Sequence, residues 1–376
     1  MKLKFTKRRI AAAALNIMSL AGFMVLTQIG SSQAESQQYN YAAERWENGD
    51  ESDSYAQISC FFPESADFTT DSVGSARAGV LNALKTVSMA PEEGQKLCPD
   101  AYSAEVGQAT VKGDITGRSE AEITAVGGDF FLIHNFTLLD GAFFSDEDVM
   151  QDGAVIDRSL AWALYGSHEV SGMKLTINGV QFYISGVIET PQTDEEQQCA
   201  GELPRAYISY DGATAIAAEA SADTGSAQER FNSVTCYEIL MPDPVESYAF
   251  QSIEVYMESL DCGAAVIQNS GRFEVFKRLG AIKNISDTAV QDSGIVYPWW
   301  ENASRITEFR LSFICLGAAL CLAVPTVTVL WLIVRGYRAL KRNKKRFLRA
   351  ALNLLKKGCS LVKSKISCLK IKPTSR

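Results

Sequence analysis

Apolar residues follow three kinds of pattern along this chain. Two runs are apolar throughout, Ile10–Gly30 (IAAAALNIMSLAGFMVLTQIG) and Leu311–Val334 (LSFICLGAALCLAVPTVTVLWLIV). Between them, short β-rich stretches at 55–62, 102–112, 121–126, 153–157, 205–210, 234–241 and 264–268 predict strands. Helical spacing appears in Val73, Val80, Leu84 and Val87, on a helix that Asp71 caps and Pro91 stops. It recurs after Asp157, through Leu160, Trp162 and Leu164 to Gly166. It recurs again in Tyr248, Phe250, Ile253, Tyr256 and Leu260 behind the start signal Asp243-Pro244-x-Glu246, and a helix is predicted over 272–283. The acidic stretch 190–203 reads as a loop, and 212–230 as a helix or an insert. The sharpest local signal is KLTI-NG-VQFYI. Asn178-Gly179 suits a two-residue type I′ turn, which sets Ile177 against Val180 and Leu175 against Phe182 on one face. Short strands mixed with single helices predict an α+β core domain, in one lobe or two, between the apolar runs.

The second run, 24 residues, is about 36 Å long as a helix and has no polar face, enough to cross a hydrocarbon core of about 30 Å. The first is either an uncleaved anchor or a signal peptide cut near Ser32-Gln33-Ala34. Charge segregates around these runs. Residues 335–376 carry 15 Lys or Arg and no acid, and residues 1–9 are basic. The middle holds all 44 acidic residues against 16 basic ones, near −28. Basic flanks stay in the cytoplasm. The expected order is a basic cytoplasmic N-terminus (1–9), a first span (10–30), an extracytoplasmic domain (31–310), a second span (311–334) and a cytoplasmic tail (335–376). This is a two-pass protein of the cell membrane with both termini inside.

Cys60, Cys98, Cys199, Cys236 and Cys262 fall in the extracytoplasmic stretch, where disulfides persist. Cys60–Cys98 is the expected pair, since both sit at the edges of one strand-helix-strand unit. No CxxC pair or His cluster suggests a metal, no cofactor motif is present, and no Ser-His-Asp or Cys-His set has support. The expectation is a non-enzymatic chain without a cofactor. His134 and His168 are isolated, and Glu195-Glu196 reads as solvated loop charge.

GGDFFLIHNFTLLDGAFFS (127–145) concentrates aromatic residues. Together with the residues as far as Val187 it carries a resemblance: GDFF (128–131), LLDGAFF (138–144), VIDRSLAWALYG (155–166), GMKLTING (172–179) and YISGV (183–187), in that order. The series resembles the MacB-like extracytoplasmic core domain of ABC-transporter permeases, to which the FtsX and lipoprotein-release permeases are also similar. It covers about 31–300 and is strongest over 125–190. The resemblance makes Phe130, Phe131, Leu139, Gly141, Phe143, Phe144, Asn178 and Gly179 core and turn residues rather than ligand contacts. It also implies four membrane helices and an ATPase partner. Only two membrane-length runs and no Walker A loop are present here, so half of a split permease or an accessory subunit is expected.

Such a subunit would couple a separate cytoplasmic ABC ATPase, with or without a second permease chain, to the extracytoplasmic domain, as a homo- or hetero-oligomer. The alternative is a membrane-anchored binding or sensor module that uses no ATP. In the tail, Arg338, Lys341, Arg342, Lys344, Lys345 and Arg346 suit anionic lipid or a docked ATPase. Nucleic acid is not expected, because nothing pairs aromatic residues with this charge.

Overall fold

The computed structural model describes residues 7–47, 54–63, 65–89, 96–115, 117–224, 230–245, 247–275, 277 and 294–368, without the side chains of 222–224 and those beyond 342. Its elements in chain order are α1 (Lys7–Ser36), a 3-10 turn (Gln38–Asn40), α2 (Ala42–Trp46), β1 (Tyr55–Phe61), α3 (Thr70–Thr86), β2 (Asp100–Gly113), β3 (Arg118–Gly128), α4 (Phe130–His134), β4 (Leu138–Gly141), β5 (Gly153–Asp157), α5 (Arg158–Tyr165), β6 (Lys174–Ile177), β7 (Val180–Ile188), α6 (Asp194–Ala200), β8 (Arg205–Ser209), α7 (Tyr210–Thr224), β9 (Cys236–Pro242), α8 (Tyr248–Ser259), β10 (Ala265–Gln268) and α9 (Trp299–Cys368). Two units emerge: residues 29–315, and residues 1–28 with 316–376.

In the first unit one mixed sheet joins all the strands in the order β10-β1-β9-β2-β3-β8-β5-β7-β4, with β6 pairing β2 and β7, so the α+β domain has one lobe. Strand period 2 sorts the side chains to two faces. On the first face Ile58, Tyr237, Ile239 and Met241 meet Val80 and Leu84 of α3, Leu160 and Leu164 of α5, Ile216 of α7, and Ile253 and Met257 of α8. On the second face Phe61, Cys236 and Leu240 meet Tyr39, Ala42, Phe130, Ile133, Trp299 and Trp300. The interior strand β9 is buried along its whole length, as a strand covered on both faces must be.

Local chemistry explains where elements start and stop. Asp157 caps α5 by accepting from Leu160 N at 2.7 Å, and Gly166 closes the helix in the left-handed region. Asn178 and Gly179 take positive φ of 46° and 98° between β6 and β7, whose register pairs Leu175 with Phe182 and Ile177 with Val180. Three expectations need correction. Thr69, two residues before Asp71, occupies the cap of α3. The acidic stretch contains α6, because Thr193 and Glu196 form a capping box in which Glu196 N donates to Thr193 Oγ1. Helix α8 begins at Tyr248, although Asp243 still accepts from Ser247 N and Ala249 N. The helix predicted over 272–283 falls mostly outside the described residues.

The second unit is a pair of helical segments, both long and apolar enough to cross a membrane. They pack through small residues: Ser19 Oγ donates to Cys321 O at 2.6 Å, and a Cβ on Gly22 would lie 3.3 Å from Cys321 Sγ. Helix α9 is continuous past Pro325 to Cys368.

Candidate functional site

Two strands carry polar residues where the sheet is closed. In β9 (CYEILMP) Glu238 interrupts an apolar run. In β1 (YAQISCF) Gln57 and Ser59 alternate with apolar neighbours, as on a strand with one wet face. Yet Gln57 and Ser59 are fully buried, and Glu238 is 3% exposed. Register sends all three to the second face, under the start of α9 and the turn after α1. Burying them requires partners.

The partners form one connected network. Ser59 Oγ donates to Glu238 Oε1 at 2.8 Å, and Asn269 Nδ2 donates to Ser59 Oγ at 2.7 Å. Gln57 Nε2 donates to Tyr39 O at 2.7 Å and its Oε1 accepts from Ala42 N at 2.9 Å, tying the turn after α1 to β1. Asn40 Nδ2 donates to Ser304 Oγ at 2.8 Å. Arg272, three residues beyond Asn269, is the hub. Its Nη1 and Nη2 grip Glu301 at 2.7 and 2.8 Å, Nη2 reaches Glu308 Oε2 at 3.1 Å, and Nε lies 3.1 Å from Glu308 Oε1. The spacing of Glu301 and Glu308 is two helical turns, which puts both carboxylates on one side of α9. Arg305 completes the charge balance by donating to Glu301 at 2.8 Å and stacking over Tyr297 at 3.7 Å.

Two carboxylates hold the Arg272 guanidinium firmly protonated against a burial that opposes its charge. A fork-to-fork pair of this kind fixes orientation as well as distance. Removing one partner from such a buried set typically costs about 3–5 kcal/mol. The other side of α9 is held as well. Arg310 pairs with Glu195 of α6, and the Arg205 guanidinium lies 5.7 Å from the Trp299 ring. Glu195 and Glu196 are therefore buried at 7% and 8%, one in an ion pair and one in a cap, not solvated loop charge.

His134 also has a place. Its Nε2 is 2.6 Å from Glu238 Oε2, and its ring is stacked on Phe130 at 4.2 Å with the edge of Trp300 at 4.7 Å. The aromatic stretch thus packs beneath the start of α9. Phe131 stacks on Phe143 at 4.6 Å and meets Phe144 edge-on at 5.2 Å. Leu139 packs against the first face, and Gly141 takes φ 74°.

Cys60 and Cys98 are not joined, and both are free thiols, as are Cys199, Cys236, Cys262 and Cys321. The reason is topological. β9 lies between β1, which carries Cys60, and β2, which Cys98 precedes by two residues. Two strand spacings amount to about 10 Å, beyond the ~7 Å Cα limit for a bridge. In the tail, Arg338, Lys341 and Arg342 are exposed, while Lys344, Lys345 and Arg346 are helical with side chains outside the described set.

Beside the clamp a cavity of about 230 Å³ opens between the turn after α1, the end of α4, the loop after β7 and Trp299. Tyr39, Phe136, Tyr207 and Trp299 wall it; Arg205, Asp157 and His134 reach it.

A mixed-sheet domain with two membrane-length helices at its ends, one of them clamped to the sheet by buried charge, defines a membrane-anchored α+β core domain. The chain belongs to the family of MacB-like periplasmic core domains, whose family model matches residues 10–234. It is thus a membrane protein carrying the periplasmic-type domain of ABC-transporter permease-type proteins. Among solved structures it is similar to the periplasmic region of MacB from Actinobacillus actinomycetemcomitans (15% identity, TM-score 0.37, 62% of this chain and 94% of that one). It is also similar to the extracellular domain of the noncanonic ABC-type transporter YknZ from Gram-positive bacteria (12%, TM-score 0.33, 56% and 98%). No curated protein matches the chain. Arg272, Glu301 and Glu308 lie beyond the matched residues.

Proposed function

We propose that the chain is a permease-like or accessory subunit that couples a separate cytoplasmic ABC ATPase to its extracytoplasmic domain, with both termini inside. One observation carries this reading. Arg272 clamps Glu301 and Glu308 of α9, and the same helix continues as the second membrane-length run and the basic segment after it. A displacement of α9 along or about its axis cannot leave β1, β9 and β10 unmoved, because a buried bidentate pair has no cheap alternative geometry. Work done on the helix becomes strain in the sheet. The six cations from Arg338 to Arg346 are the contact for the ATPase, for anionic lipid, or for both.

The test is to purify the tagged chain from its native membranes in mild detergent, with and without residues 335–376, and to identify the proteins that come with it. An ABC ATPase recovered only with the tail supports direct coupling; one recovered with both forms moves the contact to a second permease chain. No ATPase with either form, from cells that express one, removes this reading. What would then stand is a binding module that uses no ATP, which the cavity beside the clamp favours.

A further inference from the structure

A second cavity, of about 430 Å³, opens between α3, the start of β2, the end of β3 and the loop after β4. Val80, Leu81, Leu97 and Ile239 give it apolar walls. Its two cations are already matched: Arg77 donates to Asp100 at 2.7 Å, and Lys96 lies 2.5 Å from Asp129. Asp146 and Glu147 complete the rim and form no ion pair with a described residue. Both are exposed, so a group arriving from outside reaches them.

The loop holds these acids in a fixed frame. Asp146 Oδ2 accepts from Gly128 N at 2.6 Å, and Gln151 Nε2 donates to the carbonyls of Asp146 and Asp148 at 3.3 and 2.7 Å. Between those anchors Val149 and Met150 are 96% and 70% exposed. Asp148 and Asp152 flank them, and the stretch 145–152 has no cation. Surface acids are ordinarily solvated, and single exposed apolar residues are ordinary too. Here carboxylates without counter-ions stand beside apolar walls and an apolar pair. That combination selects an occupant of opposite charge with apolar parts. An anionic lipid surface is repelled. So is a second copy, which brings the same excess, 44 acidic residues against 16 basic between residues 10 and 334. We propose that this face docks a basic segment of a partner polypeptide. A Lys or Arg head meets Asp146 and Glu147, its methylene stem lies on Leu81 and Leu97, and apolar neighbours cover Val149 and Met150. The surface stands whether or not an ATPase drives the chain.

The experiment titrates the full chain, in nanodiscs of neutral phosphatidylcholine, with fluorescent N-acetyl-Leu-Lys-Leu-Lys-Leu-amide and its Glu-for-Lys analogue, followed by anisotropy, with hexylamine as competitor. The basic peptide should saturate and should weaken as salt rises, and the acidic analogue should not bind. Asp146→Asn with Glu147→Gln keeps an acceptor for Gly128 N and should weaken binding about three- to tenfold. Val149→Ser with Met150→Ser should weaken it about threefold. Asp67→Asn with Asp261→Asn, exposed acids of another cavity, should change nothing. No saturation by the basic peptide at millimolar concentration overturns the proposal. So does an equal loss in the Asp67 and Asp261 control, or saturation by the acidic analogue. Hexylamine that displaces the peptide at equal concentration also overturns it, because the occupant is then a small amine.

Discussion

The two faces of the sheet are built from opposite materials. The first is covered by α3, α5, α7 and α8 mainly through apolar contact at Leu84, Leu160, Ile216, Ile253 and Met257, with one polar tie where Arg77 of α3 donates to Asp100 at 2.7 Å. The second, under α2, α4 and the start of α9, is threaded by Gln57, Ser59, Glu238, Asn269 and Arg272. An apolar face holds helices firmly but in no unique register. A face of bidentate charge pairs is no stronger and allows one geometry. The helix that continues as a membrane-length run is held by the second kind, which suits the transmitting role proposed for it.

The contrast breaks first at its hub. Arg272→Met should cost about 3–5 kcal/mol in denaturant melts of the full chain, because two buried carboxylates lose their bonds to Arg272. The triple change Arg272→Met, Glu301→Leu and Glu308→Leu should recover most of that loss; a triple variant as unstable as the single one would show that charge is not what makes the site costly. On the other face, Leu84→Ala should cost about 3 kcal/mol, with no dependence on salt.

Next in size comes a pH effect. Burial pushes the Asp157 carboxyl up to about 6 from 3.8, against the N–H bonds it accepts from Leu160 and Arg205. The folded state therefore keeps a proton that the unfolded state gives up. Stability from this group is full below pH 3.8 and is lost as pH rises through about 6. Asp157→Asn should flatten that fall, by about 1–2 kcal/mol at about 1.4 kcal/mol per unit, in melts at pH 4 and pH 7. The smallest effect belongs to the surface. Glu189→Gln breaks a pair with the half-exposed Arg158 at 3.0 Å and should change stability by less than about 0.5 kcal/mol.

What could be read from the sequence was local. The Asn178-Gly179 hairpin, the Asp157 cap and the strand at 55–62 depend on residues a few positions apart, and the family pattern repeats the first two. The second face was hidden because its partners are distant. Arg272 and Glu301 are 29 residues apart, and His134 and Glu238 are 104 apart. Two signals existed. Glu238 stands inside an otherwise apolar strand, and Glu301 and Glu308 share one helical side just before an apolar run. In β1, Gln57 and Ser59 alternate with apolar neighbours, but the face they mark is covered by α2 and α9, so polar does not mean wet there. Glu195 and Glu196 misled, since the Thr193 capping box that orders them was read as loop.

The central proposal, that α9 drives the sheet through Arg272, is tested most directly by hydrogen exchange over residues 55–61 and 236–242 in an assembly of the chain with the proposed ABC ATPase, with and without ATP and vanadate. The account predicts that nucleotide changes the protection of β1 and β9 in the parent chain and leaves it unchanged in the triple variant, with the ATPase still bound in both. An equal change in both would contradict it.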